Sequence, residues 1–253
     1  MTMQDAIHSE LRTIESSEDV RVLYACESGS RAWGFASPDS DYDVRFVYVH
    51  SPAWYLRLSR GRDVIEWKLD ETLDIVGWDA AKLLRLMRNS NPSVYEWLAS
   101  PIVYRELAEF GPVRELAARS FQVRPGAHHY FHMASRNYRE YLQGKLVRVK
   151  KYFYVIRPLL AARWVLEERT APPMLFSELV EAKLDTGVLS LVGALLQEKA
   201  ATAELGERPR IDALNAWIEV GLAELEARIP EIPKQQKLPW QEFDEVFLDL
   251  LKQ

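Results

Sequence analysis

The sequence predicts an α+β protein: a small mixed β-sheet with flanking helices, followed by an all-helical remainder. Three observations carry this. Short apolar or alternating runs at 21–26, 41–49, 63–67 and 72–76 read as strands. Beyond Gly77 the apolar residues recur at the helical period of 3.6 instead. The chain has 253 residues, 48% of them apolar, enough to bury a core without staples.

The elements follow in order. Residues 4–17 form a short helix with Ile7, Leu11 and Ile14 on one face. The run 21–26 is a buried strand that ends at Glu27-Ser28, where a short helix starts at Gly29-Ser30. Ser37-Pro38-Asp39-Ser40 is a turn, because proline presets φ and Asp and Ser bond their own backbone. Residues 41–49 alternate at first and then turn apolar, a second strand. Residues 51–59 are irregular or briefly helical. Two more strands, 63–67 and 72–76, join through a tight link at 69–71, and Gly77 ends the sheet. From 78 to 89, Leu83, Leu84 and Met87 share one helix face and Lys82, Arg85 and Arg88 another. Asn91 caps the next helix and Pro92 suits its first turn. Further helices are expected at 104–119, 126–143, 147–168, 174–183, 187–205, 210–228 and 240–252. Pro172-Pro173, Gly206 and the stretch 230–239 separate them. Three regions result: 1–77, 78–170 and 171–253. The tryptophans from Trp54 to Trp240 read as core.

Bulk properties narrow the function. The single cysteine, Cys26, excludes an internal disulfide and a CxxC zinc site, and its apolar run makes it a small buried side chain. No apolar run reaches the roughly 20 residues of a membrane span, and the acidic start is no signal peptide, so a cytoplasmic protein is expected. The net charge of −5 argues against blanket nucleic-acid binding. The charge is uneven, however. Residues 136–163 hold eight Lys/Arg against one acid, Glu140, whereas 171–253 hold fifteen acids against eight bases. The middle of the chain can meet a phosphate.

The chemistry concentrates between Gly29 and Asp43. A Gly-Ser at a helix start offers free N–H groups and a hydroxyl to a phosphate, and Gly29 lets the backbone come close. Asp41 and Asp43, at i and i+2 on a strand, point to one face. Their carboxylates can share divalent cations that also bind phosphate oxygens. A third carboxylate on a neighbouring strand would complete the set. Asp74 is placed for that, with Asp79 and Glu66 as rivals; Asp79 also suits a helix cap. Arg31 can reach a phosphate or pair with Asp39 or Asp41. Trp33 and Phe35 are core or lining residues. His128 and His132 stand at i and i+4, but no acid follows at HExxH spacing, so they read as ordinary helix-surface residues.

Gly29-Ser30 followed by Asp41-Tyr42-Asp43 on the next strand resembles the signature of the DNA polymerase β-like nucleotidyltransferase superfamily. Gly29 to Gly34, Asp74 to Asp79, Asn91-Pro92-Ser93 with Glu96-Trp97-Leu98, Ser100-Pro101-Ile102, Lys150-Lys151-Tyr152 and Arg157-Pro158-Leu159 resemble one subfamily. This is the RlaP/YcgL-type predicted nucleotidyltransferase family, associated with RNA repair. The resemblance covers roughly residues 20–165. It implies a palm-like sheet in 1–77, substrate-contacting helices in 78–170, and a C-terminal region, 171–253, of unassigned role. It implies that Ser30 contacts nucleotide phosphates and that Asp41, Asp43 and Asp74 hold Mg²⁺ or Mn²⁺. The reaction it implies transfers a nucleoside monophosphate from an NTP and releases pyrophosphate. On the helix from 147, Lys150, Tyr154 and Arg157 fall at i, i+4 and i+7. The resemblance turns that stripe from a merely solvated face into a nucleotide contact, with Ser135 and Tyr138 lining the cleft. The acceptor stays open between an RNA or tRNA end, a protein hydroxyl and a small molecule. A non-catalytic nucleotide-binding regulator is the alternative of a different class, though it has no need of three converging carboxylates.

Overall fold

The structure, a computed structural model, describes residues 2–37, 40–59, 61–70, 72–201 and 207–252. Helix α1 (Met3–Glu18) opens with a capping box between Thr2 and Asp5. Then come β1 (Val20–Glu27), the single turn α2 (Gly29–Ala32), β2 (Tyr42–His50), α3 (Pro52–Tyr55), β3 (Val64–Leu69) and β4 (Leu73–Asp79). Helices α4 (Ala80–Arg88) and α5 (Pro92–Leu98) precede β5 (Val103–Glu106). The rest comprises α6 (Gly111–Ser120), α7 (Val123–Tyr141), β6 (Leu146–Arg148), α8 (Val149–Glu168), α9 (Phe176–Lys183), α10 (Thr186–Ala201), β7 (Glu207–Pro209), α11 (Asp212–Arg228) and α12 (Trp240–Leu251).

The sheet is mixed, in the order β3-β4-β2-β1-β5. β2 and β4 are parallel, and the other pairings are antiparallel. Alternation along the strands splits the core into two layers. On one face Val44, Phe46, Tyr48 and Ile75 pack under Ile7, Leu11 and Ile14 of α1. On the other, Leu23, Cys26, Val47 and Val49 meet α4, α5, α6 and α12. A third core forms around α8, buried along most of its length between α7, α9, α10 and α11. Phe35, in the loop after α2, packs tilted against Phe153 and edge-on to Phe176 and joins this helical core to the sheet. Among the described residues no helix is long and apolar enough to cross a membrane.

The α+β class stands, with several local corrections. The helix expected at 104–119 is instead strand β5, a 3-10 turn at Ala108–Phe110 and α6. β5 completes the sheet by pairing with β1, so a strand from beyond Gly77 joins the palm-like layer. Gly77 lies inside β4 and does not end it: its bare backbone accommodates the Phe46 ring, which a Cβ there would overlap. The short ladder of β6 and β7 was not expected. Trp240 is 46% exposed, packed under Arg88 and not in the core. Pro38, Asp39, Glu71 and Gly206, expected in turns or breaks, lie outside the described residues, as does the end of the helix expected at 187–205.

The packing of Phe46 on Gly77 yields a test. Gly77→Ala should lower unfolding stability by about 1–3 kcal/mol through overpacking. Adding Phe46→Leu should recover part of it, read as a favourable coupling in urea unfolding of the single and double variants.

Candidate active site

The parallel register of β2 and β4 sets Asp43 directly beside Asp74. Asp43 and Arg45 share the parity of Val47 and Val49, so they project toward the side covered by the helices. Asp41 sits just ahead of β2 and is exposed. Behind Asp43 lies Glu27, a fully buried residue at the end of β1. Its carboxylate accepts the Asp43 N–H at 2.9 Å and the Tyr104 hydroxyl. The Ser28 N–H donates to the Asp43 carbonyl at 2.8 Å. The backbone of Asp43 is therefore fastened on both its polar groups. Burial raises the Glu27 carboxyl above the ordinary range.

Gly29 closes the site from the other side. Its φ is +58°, and a Cβ there would overlap the Asp43 carboxylate. Glycine meets both demands, the left-handed backbone and the close approach. Next to it the Ser30 hydroxyl donates to Ser40 Oγ at 3.1 Å, and that oxygen also accepts the Ser37 N–H at 2.9 Å. Of the partners open to Arg31, a phosphate or the carboxylate of Asp39 or Asp41, Asp39 lies outside the described residues and the bond made to Asp41 goes to its backbone. Arg31 Nε donates to the Asp41 carbonyl at 3.0 Å and its Nη2 to the Ser40 carbonyl at 2.5 Å. The guanidinium also lies 3.7 Å over the Tyr42 ring. Arg31 thus fastens the backbone leading into β2.

Arg45 was not anticipated from the sequence. Its Nη2 donates to Asp43 Oδ1 at 2.9 Å and to Asp74 Oδ2 at 2.7 Å. Its Nη1 donates to the carbonyls of Val44 at 3.1 Å and Asp74 at 2.9 Å. Extending the i, i+2 count one step further, to 41, 43 and 45, would have placed it on the same face.

The rivals of Asp74 lie elsewhere. Asp79 is five residues further along β4, opposite Tyr48, where it caps α4 through the Ala81 N–H at 2.8 Å. It also accepts the Tyr55 hydroxyl at 2.7 Å. Glu66 is exposed on β3 and pairs with Arg62 at 2.9 Å.

Of the expected α8 stripe, the structure brings Tyr154 to the site. Its ring stands edge-on to Trp33 with centroids 6.0 Å apart. Burial raises the Tyr154 hydroxyl, and the negative charges of Asp43 and Asp41 raise it further. Lys150 is exposed, and the Lys151 ammonium sits 3.6 Å over Tyr141 and 5.1 Å from the Tyr154 ring.

Arg157 leaves the stripe. Its side chain is 2% exposed, paired with Glu96 at 2.7 Å, and its guanidinium lies 4.7 Å over Trp33. It supports Trp33 from within the core, because α8 is the central helix and has little wet face. Tyr138 is likewise buried, with its hydroxyl on Glu219. A groove of about 350 Å³ along α7 is lined by His129, Met133, Asn137 and Tyr141, but not by Ser135 between them. Asn137, which no sequence motif marks, ties the groove to α8 by donating to the Tyr154 carbonyl at 2.9 Å.

The donor types of Asp41, Asp43 and Asp74 suit a hard divalent cation: carboxylate oxygens rather than sulfur or imidazole. Burial raises the Asp43 carboxyl; Arg45 opposes the shift, and the charges of Asp41 and Asp74 add to it. That mutual repulsion is what a cation would relieve. Among the described residues no three acidic, His or Cys groups already converge as a metal cluster. Arg45 lies between two of the carboxylates, and Asp41 faces solvent.

A family model described as the RNA repair pathway DNA polymerase beta family, RlaP, matches residues 3–249. The chain belongs to this family. Membership indicates a DNA polymerase β-like nucleotidyltransferase. The chain is also 41% identical over 253 residues to the uncharacterized protein YcgL of Bacillus subtilis strain 168, covering 99% of this chain and 97% of that protein. A nucleotidyltransferase-like protein from Exiguobacterium sibiricum aligns over 98% of this chain and 79% of its own, at 13% identity and a TM-score of 0.32.

A structural role for Arg157 can be separated from a substrate role. Arg157→Met should cost about 3–5 kcal/mol, because it strands the Glu96 carboxylate in the core. Adding Glu96→Met should restore most of that stability in thermal unfolding.

Proposed function

We propose that the chain transfers a nucleoside monophosphate from an NTP to an RNA end, with Asp41, Asp43 and Asp74 holding Mg²⁺ or Mn²⁺. The observation that carries this reading is the β2–β4 register, which sets Asp43 beside Asp74, with Gly29-Ser30 folded over Asp43. Bound there, a divalent cation would neutralise phosphate oxygens as charge moves from the attacking to the leaving oxygen.

The residues have distinct parts in this reading. Asp41 and Asp43 are the principal ligands, and Asp74 completes the set and accepts the proton of the attacking hydroxyl. That oxygen bonds to the α-phosphorus, the α–β P–O bond breaks, and pyrophosphate leaves with the electron pair. Ser30 holds a phosphate by its hydroxyl beside the Gly29 turn. Tyr154 borders the nucleotide, and Lys150 faces its phosphates. The gain comes from positioning and charge neutralisation, with no covalent enzyme intermediate. The sheet with α1 and α2 is the palm, and the helices of 78–170 supply the substrate side.

RNA is favoured as the acceptor by the exposed bases that run from α7 through β6 to the start of α8: Arg136, Arg139, Lys145, Arg148 and Lys150. The assay incubates each α-labelled NTP with Mg²⁺ or Mn²⁺, with and without short RNA and tRNA. Label should appear on RNA. Label on protein instead would identify a protein nucleotidylyltransferase, and tight NTP binding without transfer would favour a regulator. An absence of NTP binding would overturn the reading.

Two outcomes are specific to this arrangement. Asp43→Asn should cut transfer by about a thousandfold or more, the equivalent of several kcal/mol of lost charge stabilisation, with the circular dichroism spectrum unchanged. Excess chelator should do the same reversibly. Replacing Arg148 and Lys150 by Gln should flatten the salt dependence of RNA binding by about 0.7 in log–log slope for each phosphate left without its counter-charge.

A further inference from the structure

A single nitrogen joins the two central carboxylates. Arg45 Nη2 takes one oxygen from Asp43 and one from Asp74, at 2.9 and 2.7 Å, on neighbouring strands. Without any positive charge there the strand pairing would be costly. The two carboxylates are directly adjacent in register, and their side chains are only 21% and 20% exposed. Like charges side by side on adjacent strands are destabilising. Withdrawal from water deepens the repulsion.

The guanidinium answers that repulsion, yet it also blocks the ligands. A divalent cation drawn to the same two carboxylates would lie close to the guanidinium, and their charges repel. Nη1 holds only backbone carbonyls, those of Val44 and Asp74, so a short side-chain movement would free the carboxylates without disturbing the strands.

We propose that Arg45 is an internal stand-in for the catalytic cation. It holds Asp43 and Asp74 together in the cation-free protein and releases both oxygens when the divalent ion enters with the nucleotide. This rests on the reading of the carboxylates as a cation site. It makes Arg45 a positioning residue that keeps the site from filling with bare metal, so that occupancy follows arrival of the negatively charged NTP.

The test measures Mn²⁺ binding to the full chain without nucleotide, from the electron paramagnetic resonance signal of free Mn²⁺. The native protein, Arg45→Met and Arg45→Lys are compared. Met keeps the stem and removes the charge; Lys keeps the charge. Arg45→Met should bind Mn²⁺ at least about tenfold more tightly than the native protein, since a repelling charge within a few ångströms has gone. Arg45→Lys should stay close to native. The thermal midpoint of Arg45→Met should fall in metal-free buffer and recover with Mn²⁺, because the ion takes over the guanidinium's place. Unchanged or weaker Mn²⁺ binding by Arg45→Met would overturn the proposal and make Arg45 a residue that orients the ligands. Failure of Arg45→Met to fold even in Mn²⁺ would overturn it as well. If no variant bound Mn²⁺ with or without NTP, the cation site itself would fall, an outcome distinct from unchanged affinity.

Discussion

The pairing of Asp43 with Asp74 across two parallel strands is the constraint on which the rest of the site depends. Two carboxylates half-withdrawn from water do not stay together unaided. Every neighbouring element answers that strain. Arg45 supplies charge from in front. Glu27 and Ser28 fasten the Asp43 backbone from behind. Gly29 gives the carboxylate room by having no side chain. Arg31 and the serines at 30, 37 and 40 then hold the loop that carries Asp41.

The helical layers are keyed to this arrangement through aromatic packing. Trp33, one residue beyond α2, is sandwiched between the guanidinium of Arg157 and the edge-on ring of Tyr154. Phe35 continues the same packing into Phe153 and Phe176. The short turn that begins with Gly29 is therefore keyed to α8. The buried Arg157–Glu96 pair links α8 in turn to α5, which packs beneath the sheet. A shift of α8 would reach the Gly29-Ser30 turn through aromatic packing alone.

Much of this was legible in the sequence because it is local. Strand alternation, the Gly-Ser break and the Asp-x-Asp spacing each depend on a few consecutive residues, and they located the sheet and its carboxylates. What escaped depends on distant partners. Val103–Glu106 is a four-residue edge strand amid good helix formers, and its pairing with β1 outweighs local propensity. Arg157 follows the periodicity of a wet face, but its partner Glu96 lies 61 residues away and the opposite side of α8 is covered too. Gly77 looked like a strand terminator because its reason for being glycine, the Phe46 ring, belongs to another strand. Arg45 was hidden differently: an acidic motif draws the count to acids, and the base two residues on completes the same face.

The last helix also bears on how the protein is made. α12 lays Phe243 and Leu250 against the face of the sheet that holds Leu23, Cys26 and Val47. Arg21, at the start of β1, donates to the Leu250 carbonyl. The strands that carry the carboxylates are complete by Asp79, yet the cover that α4, α5 and α6 give one of their faces is finished only when residues 240–251 emerge. At roughly 5–20 residues per second, translation leaves the part of that apolar surface that α12 covers open for on the order of ten seconds or more. Asp43 and Asp74 therefore reach their final setting only when α12 has closed the sheet that carries them, so the pace of synthesis sets the earliest time at which the site is complete.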